Sequence, residues 1–162
     1  MRDWRLGTMG FSYSDWAGVF YPKGLPAGEY LRYYSRYFDT VELDTTFHAV
    51  PPPERVRRWA EVTPGEFRFC VKATRVVTHE TPADRAVLPL LRFLEVAREL
   101  GPKLAVVLLQ YPPSFSSREM PRLAAFLARL PGDVRAVQGG GGGGGAGAEL
   151  AGSGEAVWVR WG

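Results

Sequence analysis

One cysteine, Cys70, stands in a chain of 162 residues, so neither a disulfide framework nor a multi-cysteine metal site can be built within it. Cys70 lies inside an apolar run, which predicts a buried, inert thiol rather than a nucleophile. Lysine is nearly as scarce, with three against 17 arginines. No stretch approaches the roughly 18 apolar residues that mark a membrane span. The opening Met1-Arg2-Asp3-Trp4-Arg5 carries no apolar signal region, so a cytoplasmic protein with no membrane partner is expected. Walker A, nucleophile-elbow and zinc-ribbon patterns are missing. Gly7-Thr8-Met9-Gly10 lacks the third glycine of a dinucleotide fingerprint. Ser12, Ser14, Ser114, Ser116 and Ser117 have no recognisable base partner, which leaves a serine-hydrolase reading unsupported. The two histidines, His48 and His79, fit no metal-ligand spacing with Glu42 and Asp44, so no metal is expected, and no motif names a cofactor.

What is present is an ordinary globular composition, 46% apolar and 23% charged. The net charge of +3 permits contact with phosphate-bearing partners without requiring it. Short apolar runs alternate with longer amphipathic ones. Residues 5–11, 40–47 (TVELDTTF), 67–73 (FRFCVKA), 104–109 (LAVVLL) and 134–138 read as strands. Residues 28–38, 54–61, 83–100 and 118–130 read as helices, with Val87, Leu90, Leu91, Leu94 and Ala97 on one face of the third. Pro53 suits the first helical position, and Pro89 either kinks its helix or marks a later start. Regular alternation of strand and helix, with one strand apolar throughout, predicts a parallel sheet. Five such units resemble a (β/α) barrel that is incomplete after strand five, since a full barrel takes about 200 residues or more. The main alternative is an open doubly wound sheet.

In parallel α/β folds the chemistry gathers at the carboxyl ends of the strands. The polar residues expected there are Tyr13 and Trp16 after strand one, Glu42, Asp44 and Thr46 on strand two, Lys72 and then His79 after strand three, Gln110 after strand four, and Arg160 on a late strand. Alternation along a strand running to Phe47 would put Glu42, Asp44 and Thr46 on one face. Buried carboxylates need partners, and Lys72 is the candidate for Glu42. The pair is either a structural ion pair or an acid/base set, with Lys72 stabilising charge or holding a lowered pKa. His79, in a polar loop, is the third catalytic candidate. Tyr13, Trp16, Asp44, Thr46, Gln110 and Arg160 are the substrate-binding candidates, although the aromatic residues at 13–21 also suit packing under a loop.

Several segments, in order, resemble one family. Gly7-Thr8-Met9-Gly10-Phe11-Ser12-Tyr13-Ser14-Asp15-Trp16 resembles the opening GTSGWSYxDW, and Val19-Phe20-Tyr21-Pro22 follows. Residues 38–47 resemble FxTVEINSTFY, residues 67–73 resemble FxFxVKA with Thr78-His79 after it, and residues 109–115 resemble FQLPPSF. These motifs belong to the YecE-like proteins, domain-of-unknown-function family 72. The resemblance covers residues 1–138 and implies a TIM-barrel-like fold, akin in shape to sugar isomerases and a DNA-repair endonuclease, but no activity. Its polar set falls on Glu42, Asp44, Lys72, His79 and Gln110.

The departures come late in the chain. The family continues strand five as AVExRHxSW, whereas here Gln138 is followed by seven consecutive glycines, residues 139–145. Val157-Trp158-Val159-Arg160-Trp161-Gly162 matches the family's YVRxHG without its histidine. Residues 139–155 are therefore expected to be either a Gly-rich tract or a stand-in for unidentified residues, the second being favoured, within a single domain spanning 1–162. A gene that itself encodes polyglycine would refute the stand-in. The function expected is an enzyme-like pocket that binds or processes a phosphate-bearing sugar or nucleotide. The alternatives are a nucleic-acid-binding module using the arginines at 55, 57 and 58, or a non-catalytic barrel fragment.

Overall fold

The computed structural model describes residues 4–130, 134–138 and 155–160. Six parallel strands form one sheet: β1 (Gly7–Met9), β2 (Thr40–Leu43), β3 (Arg68–Lys72), β4 (Leu104–Gln110), β5 (Val134–Gln138) and β6 (Glu155–Arg160). The helices are α1 (Tyr30–Tyr34), α2 (Pro53–Val62), α3 (Val87–Ala97) and α4 (Met120–Leu127). The strand order is β1-β2-β3-β4-β6-β5.

The first four strands thus pair in sequence order, with β1 at an edge. A doubly wound sheet starts at an interior strand and reverses direction, which these four do not do. The late strand breaks this order, because β6 lies between β4 and β5. The sheet is open, and no closed barrel is formed among the described residues. The run at 139–145 lies outside them.

Strand alternation divides the sheet into two unlike faces. Val41, Leu43, Phe69, Val71, Val107 and Leu109 are all at most 2% exposed and join one core with Leu31 and Tyr34 of α1, Val56 of α2, Leu90, Phe93 and Leu94 of α3, and Leu123 and Phe126 of α4. All four helices feed this core, as right-handed crossovers advancing in one direction require. The opposite face carries Met9, Glu42, Cys70, Lys72, Val106 and Gln110, which are half-buried or, for Met9, exposed.

Local chemistry sets the ends of the elements. Pro53 occupies the start of α2, where its missing N–H costs nothing. The other end of α2 is closed by Lys103, whose Nζ donates to the carbonyls of Ala60 (2.5 Å) and Thr63 (2.7 Å). The helix read over 83–100 is three pieces: a 3-10 turn at Ala83–Arg85, then α3, then the turn Arg98–Lys103, which contains Gly101 at φ +56° and Pro102. Pro89 therefore sits in the first turn of a helix that starts late. A capping box joins Ser116 and Glu119 ahead of α4.

Candidate functional site

β1 ends where Gly10 takes φ +75°, and a Cβ there would lie 2.6 Å from the Tyr13 hydroxyl. Glycine lets the chain turn back so that Tyr13 donates to the carbonyl of Met9. Tyr13 packs on Trp16 (ring centroids 5.0 Å apart), and Trp16 meets Phe20 and Tyr21 in turn. Burial first, then the charges of Asp44 and Glu42, push the Tyr13 hydroxyl above its ordinary pKa, so both carboxylates act on this ring.

Strand two stops at Leu43 instead of running to Phe47. Asp44 adopts helical angles (φ −84°, ψ −21°), and Thr45–Phe47 forms one 3-10 turn. Glu42, Asp44 and Thr46 therefore do not line one strand face, which corrects the reading from alternation. The cause is visible at Thr46, which is 3% exposed. Its hydroxyl lies 2.8 Å from the Leu43 carbonyl and 2.6 Å from the Lys72 carbonyl. One side chain thereby bends the chain after β2 and ties that bend to the end of β3.

The same turn delivers Phe47 to both Lys72 and His79. Lys72 Nζ stands over its ring, 4.8 Å from the centroid, and His79 meets it edge-on at 5.0 Å. His79 lies in the single π-turn Val76–Glu80, with Nδ1 2.7 Å from Thr78 Oγ1. Burial, then Arg75 and Lys72, lower its pKa from the ordinary 6.5, while Glu80 opposes them. Arg75 pairs with Glu80 at 3.1 Å. Glu42 stands in register with Cys70, so Lys72, two residues on, shares its face. Burial, and after it Glu42, push the Cys70 thiol up to about 12. The sequence reading of Cys70 as inert agrees with this.

Two hollows flank this centre. A cavity of about 940 Å³ beside β1 and β2 is lined by Tyr13, Asp44, Thr46, Arg55, Arg58 and Trp59 among others. A smaller one of about 300 Å³ lies between the Val76–Glu80 turn and the segment 111–122, and it includes His79. Gln110 ends β4 half-buried, in register with Arg160 of β6. Arg55, Arg57 and Arg58 are exposed along α2, with Arg57 3.7 Å from Glu99. Among the described residues, no three His, Cys, Asp or Glu side chains are grouped to hold a metal ion. The sequence reading placed Arg75 and Tyr111 at strand ends without giving them a role, and it missed Phe47. Each is a direct chain neighbour of a singled-out residue or follows a strand end, and only the loop geometry reveals its contacts.

Polar groups of both signs at the carboxyl ends of a parallel sheet, with helices packed against one face, define an α/β protein with its candidate site at the strand ends. No helix among the described residues is long and apolar enough to cross a membrane. The family model described as "Protein of unknown function DUF72" matches residues 5–138, and the chain belongs to that family. It is 39% identical over 103 residues to UPF0759 protein YecE of Escherichia coli (strain K12), covering 64% of this chain and 38% of that protein. It is 32% identical over 125 residues to UPF0759 protein YunF of Bacillus subtilis (strain 168), covering 70% and 42%. The chain thus spans about two fifths of the length of these curated relatives. Among solved structures, a DUF72 family protein from Thermotoga maritima MSB8 superposes with a TM-score of 0.59 at 23% identity, covering 96% of this chain and 72% of that one. One from Enterococcus faecalis V583 gives 0.57 at 24% identity, covering 83% and 50%. These likenesses concern the fold.

Proposed function

We propose that the sheet is an arc of a TIM-barrel-like fold whose strand ends bind, and in the whole protein process, a phosphate-bearing sugar or nucleotide. The observation that carries this reading is the meeting of Lys72 and His79 on the ring of Phe47 at the end of β3, with Arg75 near enough to act on the charge of His79. Lys72 and Arg75 supply positive charge and His79, whose pKa they lower, supplies a ring nitrogen for hydrogen bonding, a set that suits a phosphate or carboxylate. Glu42 and Asp44, felt by Tyr13 at the ends of β1 and β2, supply the opposite sign one strand away. Glu42 and Lys72, on one face of neighbouring strands, serve as the acid/base or charge-stabilising pair. Gln110 and Arg160, in register, extend the anion-binding side. Trp16 holds Tyr13 in place, and Thr46 holds the turn that carries Phe47.

The test is titration calorimetry with inorganic phosphate and ribose 5-phosphate. Lys72→Ala should weaken both by at least about tenfold, the worth of one charge-assisted contact. Absence of binding by the unaltered chain, or affinity indifferent to Lys72, would sink the reading.

A further inference from the structure

Arg55, Arg58, Trp59 and Val62 follow the spacing i, i+3, i+4, i+7 along α2, so they share one side of the helix. All four line the cavity of about 940 Å³ beside β1 and β2. A helix side built for packing alone would be apolar throughout. Here its first half is two guanidinium groups one turn apart, and like charges at that spacing work against the helix. Neither arginine makes an ion pair among the described residues, whereas Arg57, on another side of α2, reaches Glu99 at 3.7 Å. A local rule broken without a compensating contact inside the chain marks a place where function is expected.

The charges around the cavity favour an anion. Glu29, on the α1 side, is held by Arg32 at 3.2 Å, so its charge is answered locally. Asp44 is the other carboxylate of the lining, and its charge acts on Tyr13 at the strand ends. Two guanidinium groups against this one carboxylate leave a positive excess. Guanidinium forks are matched to phosphate oxygens. Beyond the arginines the lining is Phe11, Leu31, Leu43, Trp59 and Val62, and Trp59 is half-buried against the core. That part of the wall suits a flat ring. The volume is near the upper end of the range for ligand pockets, roughly 300–1,000 Å³, and far exceeds what inorganic phosphate fills. The stretch of α2 from Arg55 to Val62 is about 10 Å long, at ~1.5 Å per residue.

We infer that this cavity binds a nucleoside monophosphate, with its phosphate on Arg55 and Arg58 and its base against Trp59. An amino group on the base would give Asp44 a donor. The inference goes beyond the reading above, because Arg55, Arg58 and Trp59 have no part in that reading.

Calorimetry on the full chain with AMP and CMP tests it, with ribose 5-phosphate as the arm that lacks a base. At least one nucleotide should bind, about tenfold tighter than ribose 5-phosphate, the worth of one stacked base. The double substitution Arg55→Gln, Arg58→Gln should weaken it by at least about tenfold. Both arginines are exposed, so this variant should melt no lower than the unaltered chain. In a nitrogen-15 spectrum the nucleotide should shift the Trp59 indole N–H signal, assigned by its loss in Trp59→Phe. No binding by either nucleotide, or ribose 5-phosphate binding as tightly, would overturn the inference. Nucleotide affinity that depends on Lys72 but not on the two arginines would also overturn it, and would uphold the reading above. Dependence on the arginines with indifference to Lys72 does the reverse.

Discussion

The two faces of β2, β3 and β4 come from the same three strands and yet obey different rules. On the helix-covered face every side chain from Val41 to Leu109 is apolar and sealed. On the other face a carboxylate (Glu42), a thiol (Cys70), an ammonium (Lys72) and an amide (Gln110) stand at the alternate positions. Ionised groups are tolerable there because the face is only partly covered, whereas burying a lone charge among Val41, Phe69 and Val107 would be prohibitive. The lesson is a division of labour within each strand: odd-numbered positions on β2 and β3 hold the fold, and even-numbered ones are available for chemistry.

The largest effect that sharpens this contrast is in packing. Phe69→Ala, at 0% exposure, should cost about 3–5 kcal/mol in urea unfolding. Val106→Ala, on the less covered face, should cost about 1 kcal/mol or less. Equal losses would show both faces to be packed cores and end the comparison.

Cys70 gives the next test. With its thiol pushed up to about 12, alkylation by iodoacetamide at pH 8 should be at least about a hundredfold slower in the folded chain than in urea. Equal rates would mean that the polar face is open to solvent along its whole length and not only at the strand ends.

The smallest effect is at His79. Its folded pKa is depressed, so between that value and 6.5 the unfolded chain binds more protons and stability falls as pH drops through this window. His79→Gln should flatten that slope. A bound dianion restores the charge balance around His79. Affinity for sulfate, whose own charge is constant here, should therefore rise a few-fold as pH falls below 6.5. A pH-independent sulfate affinity would place the anion elsewhere than beside His79.

Much of this architecture was legible in the letters. The apolar run 104–109 gave β4 almost to the residue, because a strand sealed at Val107, Leu108 and Leu109 needs no alternation. Strand two was overextended, since TVELDTTF is uniformly β-favouring while the Thr46 hydroxyl, a tertiary contact, decides where it stops. The position of β6 was not legible, because parallel strands carry no mark of their neighbours in their own sequences. At the site, Lys72 and His79 announced themselves as charged or titratable groups after an apolar strand. Phe47 did not, because what makes it notable is a ring that the turn after β2 brings against Lys72 and His79. Asp44 and Tyr13 were placed near each other in sequence logic, but only the glycine turn at Gly10 explains how the ring comes back over the strand end.

The sequence-order pairing of β1 to β4 has a consequence for synthesis. Each of these strands finds its partner in the segment made just before it: Thr40 aligns with Gly7, and Arg68 with Thr40. Nothing in these pairings waits for residues that the ribosome has yet to add, because each crossover joins strands that are consecutive along the chain. The first four units can therefore assemble one on another as they emerge, like courses of brick laid from one end. The insertion of β6 beside β4 is the exception, because that place must stay unfilled until β5 and the residues after it have been made.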